Sequence, residues 1–176
     1  NYPEFIDYDV RKDREYLTVT SESLTKRCDA ILPKELIQGK TVLDLGSALG
    51  AMGHYALQNS AAYYCGVEIQ KMYRDKSIEL LKKHNDENFF EINETIDDIQ
   101  YKSDIVIACG FIHAYFDVFE ILKKICSLSN KYVIIETHEL IGENDPVIKF
   151  NIGKMVRNEG FYSVFEGIES IPNKTA

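Results

Sequence analysis

Apolar residues along this chain form short continuous runs that alternate with amphipathic stretches. Runs such as Ile105-Val-Ile-Ala108 and Val133-Ile-Ile135 are typical of strands covered on both faces of a parallel sheet. Their alternation with helical patterns predicts a doubly wound α/β fold, a mostly parallel sheet between two layers of helices. The predicted strands are Thr41–Leu45, Tyr63–Glu68, Phe89–Asn93, Asp104–Ala108, Tyr132–Glu136 and Tyr162–Phe165.

The helical stretches show apolar positions at a spacing of three to four residues. The first of them has Ser21 as its candidate N-cap and carries Leu24 and Cys28 on one face. We expect residues 1–40 to form an N-terminal arm and helix that act as a lid or acceptor region, and residues 41–176 to form the main domain. Packing of the aromatic residues of the arm on the sheet edge is the alternative to a lid. The predicted helices are Ser21–Leu32, Gly50–Gln58, Tyr73–His84, Ala114–Ser127 and Pro146–Asn158, with a shorter helical turn at Ile96–Ile99.

A glycine-bearing turn follows the first predicted strand, and an acid follows the second. The turn belongs to the segment Val42-Leu-Asp-Leu-Gly-Ser-Ala-Leu-Gly-Ala-Met-Gly53, and the acid is Glu68. Glycine lets the backbone approach a ligand closely, and the N-terminus of the next helix offers free N–H groups. An acid one strand later is placed to accept hydrogen bonds from a ribose diol. The pattern therefore predicts a site for a nucleotide-type cofactor.

The residues around this turn favour S-adenosylmethionine over a dinucleotide. The dinucleotide fingerprint needs a glycine where this chain has Ala48, to make room for the pyrophosphate. Asp44 stands in an otherwise apolar strand, where a buried carboxylate needs a partner. It would repel a pyrophosphate but attract the ammonium group of S-adenosylmethionine, which carries no phosphate. The alternative is a doubly wound domain in which Asp44 only caps the turn.

At these residues the chain resembles the class I S-adenosylmethionine-dependent methyltransferases. Asp44-x-Gly46-x-x-x-Gly50 resembles their first motif, and Glu68 resembles their ribose-binding acid. The resemblance extends from about Leu24 to Phe165, and it departs from the family pattern at Ser47 and Ala48, both of which are small residues. It implies a terminal antiparallel strand, for which the short polar tail of this sequence offers no clear place.

Ligands of doubly wound folds bind beyond the carboxyl ends of the strands, so the loops that follow the strands carry the candidate cofactor site. The resemblance implies that a polar residue after the third strand contacts the adenine amino group, and that the chain after the fourth strand passes close to the methionine part. The candidate cofactor-binding residues are Asp44, Gly46, Ser47, Gly50, Glu68, Ile69, Asn93, Glu94, Thr95, Cys109 and Gly110.

Three polar residues after the fourth and fifth strands are candidates for catalysis: His113, Glu136 and His138. The resemblance implies a histidine near the transferred methyl group at the position of His113, where it would serve as a base for a hydroxyl or amine. A packing role is the alternative for this residue. Glu136 and His138 are predicted to bind or deprotonate the acceptor; metal binding together with Glu139, or an ordinary loop, are the alternatives.

The absence of three motifs argues against several classes of methyl acceptor. The sequence has no Asn/Asp-Pro-Pro-Tyr motif after the fourth strand, no lysine there for a ribose 2′-O-methyltransferase set, and no Pro-Cys nucleophile at Cys109. We therefore expect methyl transfer to oxygen or nitrogen of a small-molecule or glycan-like acceptor, driven mainly by positioning. The alternatives are an RNA or protein methyltransferase and a non-catalytic module that only binds the cofactor.

Composition sets broad limits on partners and compartment. The formal net charge of −8 argues against a nucleic-acid partner. No apolar run approaches the ~20 residues of a membrane helix. The four widely spaced cysteines are expected as reduced core residues without metal, which favours a cytoplasmic protein. The tail without a clear last strand leaves room for a dimer contact or an attached second domain.

Overall fold

The computed structural model describes Phe5, residues 21–136 and three short strands at 149–150, 156–157 and 168–169. Its strands are β1 (Thr41–Leu45), β2 (Tyr63–Val67), β3 (Phe90–Asn93), β4 (Ser103–Cys109), β5 (Ser129–Glu136), β6 (Lys149–Phe150), β7 (Val156–Arg157) and β8 (Ile168–Glu169). Its helices are α1 (Ser21–Ile31), α2 (Lys34–Ile37), α3 (Ala51–Gln58), α4 (Lys71–His84) and α5 (Val118–Ser127), with single 3₁₀ turns at Glu87–Phe89, Ile96–Asp98 and Ile112–Ala114.

Five parallel strands form the central sheet in the order β3-β2-β1-β4-β5, and β7 continues it at the β5 edge. The strand order reverses between β1 and β4, so their carboxyl ends flank the crevice in which ligands of such sheets bind. Asp44 of β1 lies opposite Gly66 of β2 on one side and Ile107 of β4 on the other. The predicted doubly wound, Rossmann-like fold is confirmed.

Alternating side chains of the central strands fill two cores, one on each face of the sheet. In β1, Val42 belongs to the core that α1, α3 and α4 cover, whereas Leu43 and Leu45 belong to the core that α5 covers. Residues on both faces of β4 are fully buried as well, which explains its continuous apolar run. The sheet is therefore the middle layer of three, and its carboxyl edge remains for a ligand.

Helix α1 is packed into the first core. Leu24 and Cys28 are buried in the same cluster as Val42, and the hydroxyl of Tyr55 on α3 donates to Asp29 Oδ1 at 2.6 Å. These contacts fix α1 against the sheet, next to the carboxyl ends of β4 and β5. The lid or acceptor role expected for residues 1–40 stays a prediction.

The prediction of one helix over Pro146–Asn158 is wrong, because Lys149–Phe150 and Val156–Arg157 are strands. Val156 pairs antiparallel with Val133, so β7 satisfies backbone groups along the otherwise open edge of β5. Local periodicity cannot detect such a pairing, since it depends on residues far along the chain. The sheet thus has an antiparallel edge strand. The predicted strand Tyr162–Phe165 lies outside the described residues.

Candidate functional site

The turn between β1 and α3 has a left-handed backbone at three positions. Gly46 has φ +80°, Gly50 has φ +77° and Ala48 has φ +48°. The first two are natural glycine positions, whereas alanine at φ +48° is strained by about 1 kcal/mol. This geometry favours glycine over alanine at residue 48. Ser47 is buried, and its small side chain packs against β2 at Gly66.

Glu68 ties this turn to the end of β2. Its Oε2 accepts a hydrogen bond from the backbone N–H of Ala48 at 3.0 Å, and its Oε1 accepts one from the N–H of Gln70 at 2.8 Å. The carboxylate is buried, yet an ionised carboxylate has about four acceptor positions, and these two hydrogen bonds leave two. Glu68 therefore stabilises the strained turn and keeps acceptor capacity for two hydroxyl groups of a ligand.

Asp44 lies buried at the carboxyl end of β1, and the hydroxyl of Tyr64 donates to its Oδ2 at 2.9 Å. Burial raises the pKa of Asp44 to about 7, although the hydrogen bond from Tyr64 and the positive charge of Arg27 both act to lower it. The negative charge of Glu68 adds to the rise. A nearby cation, such as the ammonium group of a ligand, would stabilise the ionised form of this buried carboxyl group.

We expect the buried carboxyl of Asp44 to make stability fall as pH rises. Its pKa is about 7 in the folded protein against an ordinary value of 3.8, so only the folded state keeps the proton between those values. In Asp44→Asn the amide oxygen still accepts from Tyr64 but does not titrate. Between about pH 4 and about pH 7, the free energy of unfolding of the wild type should therefore fall by a few kcal/mol relative to Asp44→Asn. Denaturant unfolding of both proteins across this window measures the difference; parallel pH profiles would contradict it.

The end of β3 carries the candidates for adenine recognition. The backbone oxygen of Asn93 accepts from the N–H of Glu68 at 3.0 Å, so this strand end adjoins the turn acid. The side chain of Asn93 contacts Cys65 Sγ at 3.4 Å. Glu94 forms an ion pair with Arg74 at 3.4 Å. Thr95 is the N-cap of the 3₁₀ turn that follows. Ile69 is 72% exposed beside them, an apolar side chain open to a flat ligand ring.

Cys109 and Gly110 lie at the end of β4, directly beside the end of β5. Cys109 is in register with Glu136, and the N–H of Gly110 donates to the Glu136 carbonyl at 2.8 Å. Gly110 has φ +64°, and a Cβ there would lie 3.8 Å from His113 Cε1. His113 is exposed on the 3₁₀ turn Ile112–Ala114. Because its imidazole lies near Gly110, it borders the strand end where the methionine part of the cofactor is predicted.

Glu136 forms an ion pair with Arg27 of α1. Arg27 Nε lies 3.2 Å from each carboxylate oxygen, and Nη2 also donates to Oε2. The structure thus brings His113 and Glu136 to neighbouring strand ends. His138 and Glu139 lie outside the described residues, so the acceptor role of His138 and the metal alternative stay predictions.

Sequence analysis missed Arg27, Tyr64 and Phe111. A buried Asp44 requires a hydrogen-bond donor. Its partner on β2 is Gly66, and Tyr64 lies two residues before Gly66, on the same face of that strand. Arg27 stands three residues after Leu24, a cation near the buried face of an amphipathic helix, which is also a usable signal. Phe111 packs over the turn, with its Cδ2 3.3 Å from the Cβ position of Gly46, and no pattern in the sequence indicates this.

Curated relatives resemble this chain in sequence, and solved structures resemble it in fold. The chain is 30% identical over 152 residues to a ribosomal protein L11 methyltransferase of Dictyoglomus thermophilum, which covers 82% of this chain and 49% of the relative. The same-named protein of Thermosipho melanesiensis is 31% identical over 104 residues, 57% of this chain and 40% of the relative. The chain thus spans less than half the length of the curated relatives it matches.

A candidate RNA methyltransferase from Pyrococcus horikoshii superposes with a TM-score of 0.52 at 25% identity, over 64% of this chain and 57% of that one. Magnesium protoporphyrin IX methyltransferase from Synechocystis with bound S-adenosylmethionine gives a TM-score of 0.55 at 15% identity, over 65% of this chain and 56% of that one. This is a likeness of fold alone.

No protein-family model matches the chain. Among the described residues, no helix combines the length and apolar character needed to cross a bilayer.

Proposed function

Since the chain belongs to the class I, Rossmann-like methyltransferase family, we propose that it transfers a methyl group from S-adenosylmethionine to oxygen or nitrogen of an acceptor. The family and its cofactor were predicted from the motif around Asp44 and Glu68, and the relatives and solved structures confirm both. The observation that carries the proposal for this chain is the pair of buried carboxylates, Asp44 and Glu68, on either side of a left-handed glycine turn.

The residues present fit this cofactor. In the proposed site Glu68 accepts from the ribose hydroxyls, Asp44 faces the ammonium group, and Ile69 lies against the adenine. Asn93, Glu94 and Thr95 are the candidates for the adenine amino group. The turn residues Gly46, Ser47 and Gly50, together with Cys109 and Gly110, let the backbone pass close to the ligand.

The chemistry that we propose asks little of the protein. S-adenosylmethionine supplies a methyl group on a sulfonium, which is a good leaving group. The chain holds the acceptor in line with that methyl and excludes competing geometries, which supplies much of the rate. His113 takes the proton that the acceptor oxygen or nitrogen loses. Glu136, in its ion pair with Arg27, orients the acceptor rather than accepting its proton.

The acceptor that we propose is a protein side chain. The curated relatives are named as ribosomal protein L11 methyltransferases, and an aromatic surface (Tyr115, Phe116 and Phe119) is exposed directly after His113. Exposed aromatic groups of this size favour a macromolecular contact. Exposed acids Asp117 and Glu120 lie between and beside them, which favours a basic segment. A small-molecule or glycan-like acceptor is the alternative, and the net charge of −8 argues against RNA.

Transfer of a labelled methyl group tests this proposal. The chain is incubated with methyl-tritiated S-adenosylmethionine and with cell extract separated into protein, RNA and small-molecule fractions. We expect label in the protein fraction, and His113→Ala should slow its incorporation by about 100-fold or more at unchanged cofactor affinity. Label in the small-molecule fraction would favour the alternative acceptor. Saturable cofactor binding without transfer to any fraction would indicate a non-catalytic module and contradict the proposal.

A further inference from the structure

Helix α1 brings a cation to the carboxyl edge of the sheet. Arg27 follows the apolar side of α1, whose Leu24 and Cys28 are buried, and its side chain is only 30% exposed. Its Nε and Nη2 donate to the carboxylate of Glu136 at the end of β5. Arg27 is thus fixed, by the helix on one side and by Glu136 on the other, above the ends of β4 and β5.

The guanidinium is not saturated by this ion pair. Arginine has five N–H donors, and among the described residues the structure gives Nη1 no hydrogen-bond partner. Arg27 also interacts electrostatically with Asp44 and with Cys109, the side chains at the ends of β1 and β4. A half-buried guanidinium with free donors, next to the crevice, is suited to bind a planar anion.

The acids around the crevice would repel the carboxylate of the cofactor unless a cation such as Arg27 lay nearby. Asp44, Glu68 and Glu136 place three acids around it, and S-adenosylmethionine carries a carboxylate on the same carbon as its ammonium group. If the ammonium meets Asp44, the carboxylate must lie within a few ångströms of that acid, where it is repelled unless a cation accompanies it. Arg74, the cation on the β2 side, donates to the backbone oxygens of Glu68 and Ile69 instead.

We propose that Arg27 binds the carboxylate of the methionine part of S-adenosylmethionine through Nη1, while Glu136 holds the guanidinium in place. This inference rests on the proposed function, because it needs the cofactor at the carboxyl ends of β1 and β4. It assigns α1, outside the glycine turn, a direct part in cofactor selectivity. A ligand without the carboxylate gains nothing from Arg27.

A merely structural role for the ion pair makes a different prediction. Ion pairs that remain partly exposed contribute little to stability, so removing Arg27 should leave the fold intact. Any damage to the fold would also weaken all ligands of the site alike. Only direct binding weakens ligands according to whether they carry the carboxylate.

The test compares two ligands on two variants by calorimetric titration. S-adenosylmethionine carries the carboxylate, and decarboxylated S-adenosylmethionine keeps the ammonium group but lacks it. Arg27→Gln should weaken the first ligand by about 10- to 100-fold and leave the second unchanged. Lys26→Gln removes the same charge from the neighbouring, exposed position of α1 and should change neither.

The outcomes separate this inference from the function on which it rests. Binding of S-adenosylmethionine to the wild type with equal affinity for Arg27→Gln would overturn the role of Arg27 alone. An equal loss of both ligands in Arg27→Gln would also overturn it, in favour of a structural role. If the wild type bound neither ligand, the proposed function would fall together with the inference.

Discussion

Replacing Glu68 with alanine is expected to weaken binding of S-adenosylmethionine by about 100-fold or more. The carboxylate holds the N–H groups of Ala48 and Gln70, and in the proposed site it also accepts from the ribose hydroxyls. Hydrogen bonds to a charged group contribute about 1.5 to 3 kcal/mol each, so the loss of two explains the size of the effect. The left-handed alanine of the turn adds to it, because its strained backbone loses its anchor.

Glu79→Ala is the matched control for this experiment. Glu79 is an exposed acid on α4 with a Lys76 ion pair, so the substitution removes the same charge away from the crevice. Its affinity for S-adenosylmethionine should equal that of the wild type. Calorimetric titration of both variants measures the contrast. Full affinity in Glu68→Ala would show that the cofactor does not use the end of β2.

Replacing Gly53 with alanine is expected to destabilise the protein by about 3 kcal/mol or more. Gly53 lies in α3 against the ring of Tyr64, and a Cβ there would stand 2.7 Å from ring atom Cδ1, with two further ring atoms closer still. Tyr64 is fully buried and donates to Asp44, so moving its ring strains the core and breaks this hydrogen bond. The helix propensity of alanine, which favours the variant by about 1 kcal/mol, acts in the opposite direction.

A second substitution identifies the cause of this loss. Tyr64→Leu removes the ring, so Gly53→Ala should be much less destabilising in that background than in the wild type. Equilibrium unfolding in denaturant of the wild type, both single variants and the double variant gives the coupling energy. If Gly53→Ala stabilised the wild type, helix propensity would outweigh the contact with Tyr64, and the steric cause proposed for the loss would be wrong.

The sequence predicts the elements whose signal is local. Continuous apolar runs predict the buried parts of β1, β2, β4 and β5, because strands buried on both faces are mostly apolar. The start of β5 is not predicted, because the strand begins at Ser129 with the polar residues 129–131 rather than at Tyr132. The same reasoning singles out Asp44, the charged residue in the apolar strand β1. Glu68 follows from strand spacing, because parallel strands bring their carboxyl ends to one edge. The part of the site on β1 and β2 is therefore predictable.

Contacts between distant residues lie beyond this reasoning. Arg27 and Glu136 are 109 residues apart, and only the docking of α1 on the sheet brings them together. The helix predicted over Pro146–Asn158 is wrong because β7 forms by pairing with β5, which its own residues do not reveal. The helix predicted from Ala114 begins later, at Val118, because Asp117 accepts from the N–H of Glu120 and caps it. An N-cap competes with apolar periodicity for the start of a helix.

The site balances charge across the crevice. In the proposed site, the buried acids Asp44 and Glu68 would face a ligand that is cationic at its sulfonium and ammonium groups. Arg27, in its ion pair with Glu136, would meet the carboxylate of that ligand. Asp44, which is buried in the strand before the turn, would repel the pyrophosphate of a dinucleotide. Ala48 also occupies the position where a glycine would make room for that group. In the proposed site, the arrangement of acids therefore favours S-adenosylmethionine over a dinucleotide.

Calorimetric titration of the wild type with S-adenosylmethionine, and separately with NAD, tests this central claim most directly. We predict saturable binding of S-adenosylmethionine and none of NAD. Binding of NAD, or no binding of S-adenosylmethionine, would contradict the account, because the buried acids beside the glycine turn would then serve another ligand or only the fold.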